Sequence, residues 1–231
     1  MFISFIYLRL INISMFFYIY STFVFPGSLL LAVVVGLMYY KYLTEPHKLI
    51  FNYALFSLLA NIINIITIEL HKDTMMMNHL YTIFEFVFLS LFYSSFYNKR
   101  GKQIIYAIIV LFEIFCIVNA FAIQGKIFNS YSHTSAAFIY IIYCMLFIAK
   151  QSTEDTDANW GSNSFNWVNT GILVYYASTI LMFAANNYLT NAGIEIYKKV
   201  WLVHDTIFII QFILFAIAFY KCKPQQTISI S

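Results

Sequence analysis

The sequence predicts an all-α protein, a polytopic transmembrane helical bundle of about seven spans. Of its 231 residues, 61% are hydrophobic and only 10% are charged. A soluble domain carries about 25% charged residues, because its surface must meet water. The apolar residues also form runs of about 20, the length that a helix needs to cross a bilayer. Seven such runs with short loops use nearly the whole chain, so we expect no second, soluble domain.

The predicted spans lie at residues 22–41, 48–69, 76–97, 102–123, 131–150, 164–187 and 200–221. Short polar segments that contain proline, glycine or charged residues separate them, as is typical of loops between helices. The longest loop, Gln151 to Ser164, is polar and acidic. The transmembrane domain therefore covers residues 22–223, and residues 224–231 form a short tail.

Residues 1–21 form a further apolar segment, for which the sequence leaves three interpretations open. Arg9 would lie near the middle of an extra helix. The segment has neither the leading positive charge nor the terminal small residues of a cleavable secretory signal. It is an interfacial helix, an eighth span, or the product of a mis-assigned start that precedes Met15.

Lysine and arginine set the predicted orientation, because they favour the cytoplasmic side of a membrane. Eight lie on one side of the seven spans: Lys41, Lys48, Lys99, Arg100, Lys102, Lys150, Lys221 and Lys223. Five lie on the other: Arg9, Lys72, Lys126, Lys198 and Lys199. We therefore expect the amino terminus outside and the carboxyl terminus in the cytoplasm. The net charge of +3 is too small to indicate a nucleic-acid partner.

Polar residues within the spans recur at helical spacing, and we expect them to face the bundle interior because polar groups are costly in lipid. Three spans carry such stripes: Ser57, Asn61, Asn64 and His71 in the second; Asn78, His79, Thr82 and Glu85 in the third; Trp201, His204, Asp205, Phe208, Gln211 and Phe215 in the seventh. Glu113 in the fourth span and Asn169 in the sixth add two more polar groups.

Most of these residues fall toward the predicted outer side, where His204 and Asp205 open the seventh span. Glu85 and Glu113 fall near mid-depth. This distribution predicts a cavity open to the outer face, with carboxylates toward its floor. The candidate binding residues are Asn64, His71, Asn78, His79, Glu85, Glu113, Asn169, His204 and Asp205.

The same patterns also have a structural interpretation. Polar stripes hydrogen-bond helices to one another, and abundant Tyr and Phe residues pack the interior or anchor the membrane interfaces. Glu85 and Glu113 fit that interpretation less well. An unpaired carboxylate at mid-depth costs at least about 2.5 kcal/mol on insertion scales, so each must be protonated, paired or hydrated.

Three functions are compatible with the predicted cavity. The favoured one is a receptor-like sensor of a small molecule or of protons, which passes its signal to a membrane or cytoplasmic partner. A second is a proton-coupled transporter that uses Glu85 or Glu113. The third is a metal-dependent intramembrane hydrolase, since histidines and carboxylates are ligands that suit zinc. Its zinc ligands would come from His71, His79, His133 and His204, with Asp205 or Glu85.

The hydrolase alternative resembles the seven-helix enzymes related to alkaline ceramidases and adiponectin receptors. That resemblance implies paired histidines four residues apart on the last helix. Here His204 stands alone, and Phe208 occupies the position of the second histidine. This departure weighs against the hydrolase alternative.

Three stretches carry a second resemblance: residues 78–86 (NHLYTIFEF), residues 167–175 (WVNTGILVY) and residues 201–204 (WLVH). Together they resemble uncharacterised seven-helix bacterial inner-membrane proteins. The resemblance implies a multi-pass protein of the bacterial inner membrane, and it names no activity. Glu85, Asn169 and His204 lie within these stretches.

Overall fold

The computed structural model describes residues 19–125, 127–154, 160–189, 191 and 193–223. The predictions for the amino-terminal segment up to residue 18 and for the tail from residue 224 lie outside these residues. The described chain forms seven main helices and no strand, which confirms the all-α bundle. The helices are α1 (Phe25–Met38), α2 (Glu45–Glu69), α3 (Met75–Ser94), α4 (Lys99–Val118), α5 (Ser130–Glu154), α6 (Ser164–Leu189) and α7 (Ile194–Lys221).

The helices α2 to α7 are each long and apolar enough to cross a membrane, as the hydrophobic runs predict. A π-helical turn, Asn119–Ile123, extends α4. The first predicted span is shorter, with apolar helix over Thr22–Met38. The described chain thus has the helices of a multi-pass membrane protein.

The start of α7 differs from the prediction. This helix begins at Ile194 rather than at residue 200, after Gly193 with its positive φ of 98°. His204 therefore lies ten residues into the helix, about 15 Å from its start at 1.5 Å per residue. The two residues thus lie about three turns inside α7, and not at its first turn as the prediction has it.

Six of the helices form a closed ring, in which α1, α2, α3, α5, α6 and α7 pack in that order and α7 returns to α1. The remaining helix, α4, lies outside this ring and packs mainly against α3. Its far side exposes large apolar residues such as Leu111, Ile114 and Phe121. Such a surface is suited to contact with lipid.

Aromatic rings fill much of the space between the helices. Phe86 on α3 stacks on Phe112 of α4 with a centroid distance of 3.8 Å, and Tyr140 on α5 lies 4.4 Å from Tyr176 on α6. Gly171 brings α6 close to α7, since a Cβ there would lie 3.2 Å from the backbone oxygen of Gln211. Close packing of this kind drives helix association in lipid, where the hydrophobic effect contributes little.

Candidate functional site

A carboxylate on α3 lies inside the ring. Glu85 is only 2% exposed, and it is ten residues, or about 15 Å, from the start of α3. Tyr53 on α2 donates a hydrogen bond of 2.8 Å to its Oε1 atom. The hydroxyl groups of Tyr81 and Tyr176 also face this carboxylate. No Lys, Arg or His of the described chain forms an ion pair with it.

A chain of hydroxyl groups extends from Glu85 along the contact between α2 and α3. The Tyr53 and Tyr81 hydroxyl oxygens are 3.2 Å apart, and the Ser57 Oγ atom lies 3.1 Å from the Tyr81 hydroxyl. Tyr53 contacts Glu85, and Ser57 contacts Tyr81. A step of four residues toward the end of α2 is therefore matched by a step of four residues toward the start of α3. This correspondence defines the register of the two antiparallel helices.

The register continues to the ends of the two helices. It places Asn61 within one residue of the level of Asn78, and Asn64 level with Thr74, the residue that precedes α3. All four side chains are at most 5% exposed. We call the resulting set of polar residues the α2–α3 column: Ser57, Asn61, Asn64, Thr74, Asn78 and Tyr81.

Several polar atoms of the α2–α3 column have no hydrogen-bond partner among the described residues. They are the Oδ1 atoms of Asn61 and Asn64, the Oγ1 atom of Thr74, and both side-chain polar atoms of Asn78. Leaving a buried polar group unpaired costs about 1–3 kcal/mol. The column therefore offers hydrogen bonds that the described protein does not use.

A second polar group lies between α6 and α7. The His204 Nε2 atom is 2.9 Å from the hydroxyl of Tyr175, and its Nδ1 atom is 3.0 Å from Asp205 Oδ1. Two turns further along α7, Gln211 is fully buried, and neither polar atom of its side chain has a partner in the described chain. The Tyr175 ring lies 4.7 Å from the ring of Tyr176, whose hydroxyl faces Glu85. The His204–Asp205 pair thus adjoins the Glu85 site.

The connection between α4 and α5 covers another part of the predicted outer end. Asn129 donates a hydrogen bond of 2.7 Å to the Thr82 hydroxyl, and His79 Nε2 donates one of 3.0 Å to the backbone oxygen of Gln124. Phe128 is buried, with its ring 5.2 Å from that of His133. The prediction of an open cavity is therefore wrong for this part, where the polar residues are buried beneath the connection.

Three predicted binding residues lie apart from both the Glu85 site and the α2–α3 column. His71 is exposed in the loop after α2, where its φ is +57°. Glu113 is half-buried on α4, outside the ring, and neither carboxylate oxygen has a partner in the described chain. Asn169 accepts a hydrogen bond of 2.9 Å from Tyr93, about 12 Å along α3 from Glu85. The other predicted residues, Asn64, Asn78, His79, His204 and Asp205, are buried.

The tyrosines around Glu85 are the site residues that sequence reasoning missed. Tyr and Phe were interpreted as packing residues and interfacial anchors. Helical spacing contained a signal, since Tyr53 is one turn before Ser57 and Tyr81 is one turn before Glu85. These tyrosines therefore continue the polar stripes that were recognised.

The predicted zinc ligands do not form a metal centre. Within the described ranges, no three His, Cys, Asp or Glu side chains come close enough together to hold one metal ion. His204 contacts Asp205 and the hydroxyl of Tyr175, and His79 bonds to the α4–α5 connection. This geometry gives the hydrolase alternative no support.

Comparisons with known proteins do not identify a family. No family model, no curated protein and no solved structure matches the chain. The resemblance to seven-helix bacterial inner-membrane proteins therefore stays a prediction, and the function has to be argued from the Glu85 site.

Proposed function

We propose that this protein is a receptor-like membrane protein that binds a small polar molecule inside the helix ring and signals to a partner. The observation that carries the proposal is Glu85, a buried carboxylate with a tyrosine donor and no basic partner in the described chain. A charged carboxylate in the middle of a membrane helix costs about 2.5–3.5 kcal/mol on insertion scales. Helix packing does not require a carboxylate at this position, whereas binding of a polar ligand does.

The groups near Glu85 suit a small ligand with several polar atoms. The hydroxyls of Tyr53 and Tyr81 both donate and accept hydrogen bonds, and so do the carboxamides of Asn78 and Gln211. Both polar atoms of each of these two carboxamides are unpaired within the described chain. Aromatic rings supply the apolar walls that ligand sites usually have. The loops that the structure describes are short, so the helices themselves would pass a signal to a membrane or cytoplasmic partner.

A second candidate, a proton-coupled transporter, is favoured by one observation. Tyr175, His204 and Asp205 form a hydrogen-bonded row beside the Glu85 site. Rows of ionisable groups inside membrane proteins carry protons in pumps and transporters. A pH gradient across proteoliposomes tests this function directly. Proton flux that stops in Glu85→Gln would favour the transporter over the receptor.

Thermal unfolding of the purified protein tests the receptor-like function. The probes are methylammonium, ethanolamine, choline, glucose and acetate, each added separately. Binding to the folded state stabilises it, by about 2.7 kcal/mol when the ligand is at 100 times its Kd. We expect at least one probe to raise the Tm of the wild type and to leave that of Glu85→Gln unchanged.

The matched control is Glu113→Gln, which removes a carboxylate within a span but outside the ring. It should retain the shift in Tm. If every probe acts equally on the wild type and on Glu85→Gln, the assignment of Glu85 as the ligand anchor is wrong.

A further inference from the structure

We infer that the α2–α3 column is the route by which a small organic ammonium ion reaches Glu85 from the end of the bundle where α2 ends and α3 begins. The inference rests on the proposed function, and it adds the chemical class of the ligand and its entrance. Three observations support it: the length of the column, its unpaired atoms and its charge.

The length of the column matches the distance from Glu85 to the helix ends. Eleven residues separate Tyr53 from Asn64 on α2, and the same number separates Thr74 from Glu85 on α3. At 1.5 Å per residue this is about 16 Å. Half of the hydrocarbon core of a bilayer is about 15 Å. The column therefore runs from mid-depth to one surface of the membrane.

The unpaired atoms distinguish this column from a hydrogen-bonded helix joint. A joint requires side chains that bond to each other across the contact. Asn61 and Asn78 are buried and lie within one residue of the same level, yet the Oδ1 atoms of both are unpaired within the described residues. The column thus presents its oxygen atoms to a third molecule.

The charge of the column favours a cation. Its unpaired atoms are mostly oxygen acceptors, it contains no Lys or Arg, and it ends at the Glu85 carboxylate. Aromatic rings lie beside that carboxylate, and their faces attract organic cations. At the entrance, Glu69, Lys72 and Asp73 are all exposed, and their side chains sum to one negative charge. The charges at the entrance and the Glu85 carboxylate therefore both favour a cation.

The column is closed in this conformation. None of its residues is more than 5% exposed, so α2 and α3 must move apart for an ion to pass, and a compact ion requires the smallest separation. A primary or methylated ammonium group is small. Its N–H or polarised C–H groups can contact the carboxamide oxygens, and its charge is attracted to the faces of tyrosine rings. It also neutralises the Glu85 carboxylate on arrival.

Cysteine modification in proteoliposomes tests the route. Asn61→Cys and Asn64→Cys are made in a Cys222→Ala background, since the other native cysteines, Cys116 and Cys144, are buried. The probes are two membrane-impermeant methanethiosulfonates, one with a trimethylammonium group and one with a sulfonate. The control is Ile62→Cys, on the same turn of α2 but at a position 44% exposed on the outside of the ring.

We expect the ammonium reagent to modify both column cysteines about tenfold faster than the sulfonate reagent, because a cleft of one charge sign concentrates ions of the opposite sign. Asn64→Cys, nearer the entrance, should react faster than Asn61→Cys. Ile62→Cys should react with neither reagent. Adding Glu85→Gln should bring the two rates close together. Methylammonium chloride, but not an equal concentration of sodium chloride, should slow the modification of Asn61→Cys.

Several outcomes would overturn the inference. Column cysteines that react no faster than Ile62→Cys would exclude a route. Equal rates for the two reagents, or a preference that persists in Glu85→Gln, would exclude selection of cations by Glu85. Absence of protection by methylammonium would exclude an ammonium ligand. Modification only from the side that holds the carboxyl end of α7 would reverse the entrance.

The result of the cysteine-modification experiment can be distinguished from the result of the thermal-unfolding experiment that tests the proposed function. Modification reports the route even when no probe changes the Tm, so a failed thermal assay overturns only ligand binding. Each cysteine variant should elute from a size-exclusion column as the parent protein does, which shows that its rate is that of a folded chain.

Discussion

The two ends of the helix ring differ in how their polar side chains are paired. At one end, which we call the closed end, side chains at the start of α2, on α3 and on α6 contact each other: Thr44, His47, Tyr93, Ser164, Phe165 and Asn169. The two ring nitrogens of His47 lie 2.7 Å from Thr44 Oγ1 and 2.8 Å from Ser164 Oγ. The His47 ring stacks on that of Phe165 at 4.2 Å. These contacts tie α2 to α6.

The opposite half contains the α2–α3 column, in which buried polar atoms of Asn61, Asn64, Thr74 and Asn78 have no partner within the described residues. Asn169 at the closed end accepts a hydrogen bond from Tyr93, whereas Asn61 and Asn78 in the column have Oδ1 atoms without a described partner. The comparison shows that a buried asparagine can join helices or leave a hydrogen bond for another molecule. The outcome depends on whether the neighbouring helix places a hydrogen-bonding group opposite the asparagine.

The largest expected effect on stability is at the closed end. His47→Ala should lower the free energy of unfolding by about 2 kcal/mol, because it leaves the Thr44 and Ser164 hydroxyls without their partner and a void in place of the ring. Denaturation by sodium dodecyl sulfate in mixed micelles measures the change. The control is Lys48→Ala, whose exposed ion pair with Glu45 contributes little. Equal effects of the two substitutions would show that His47 does not stabilise this end.

The column should respond in the opposite direction. Asn61→Leu should raise the free energy of unfolding by about 1 kcal/mol, because an apolar side chain of similar size replaces a carboxamide with an unpaired oxygen. The same denaturant titration measures it, with Asn169→Leu as the matched control. Asn169→Leu should destabilise the protein, since it removes the acceptor of Tyr93. If both substitutions are destabilising, the column is a helix joint and the contrast between the two ends is lost.

A smaller effect is expected when only one hydroxyl is removed. Tyr93→Phe should cost about 0.6 kcal/mol, the average for a hydrogen bond between helices in a membrane protein. Tyr140→Phe is its control, because the Tyr140 hydroxyl is buried and has no hydrogen-bond partner among the described residues. This second substitution should leave the unfolding midpoint unchanged or raise it. A loss as large as that of Tyr93→Phe would indicate that the Tyr140 hydroxyl is paired.

Hydropathy predicted the seven helices, since long apolar runs have few alternatives in a membrane. The start of α7 was placed too late because Lys198 and Lys199 were interpreted as a loop. Lysine does not interrupt a helix. The true boundary is Gly193, whose positive φ is costly for other residues.

The site was predicted in part. Helical spacing correctly placed Asn61, Asn64 and Glu85 on buried faces of their helices. It could not show that Tyr53 of α2 lies against Glu85 of α3, because the register between two helices depends on packing across them. Hydropathy also could not show that α4 lies outside the ring. This position of α4 separates Glu113 from Glu85.

The register between α2 and α3 has a consequence for how this sequence can vary. Tyr53 faces Glu85 and Ser57 faces Tyr81 only while the number of residues between the members of each pair is fixed. Deleting one residue between Ser57 and Asn61 would rotate the rest of α2 by about 100° and turn Asn61 away from the column. The hairpin should therefore accept many substitutions but no insertion or deletion, so that in homologous chains its length would be more constant than its composition.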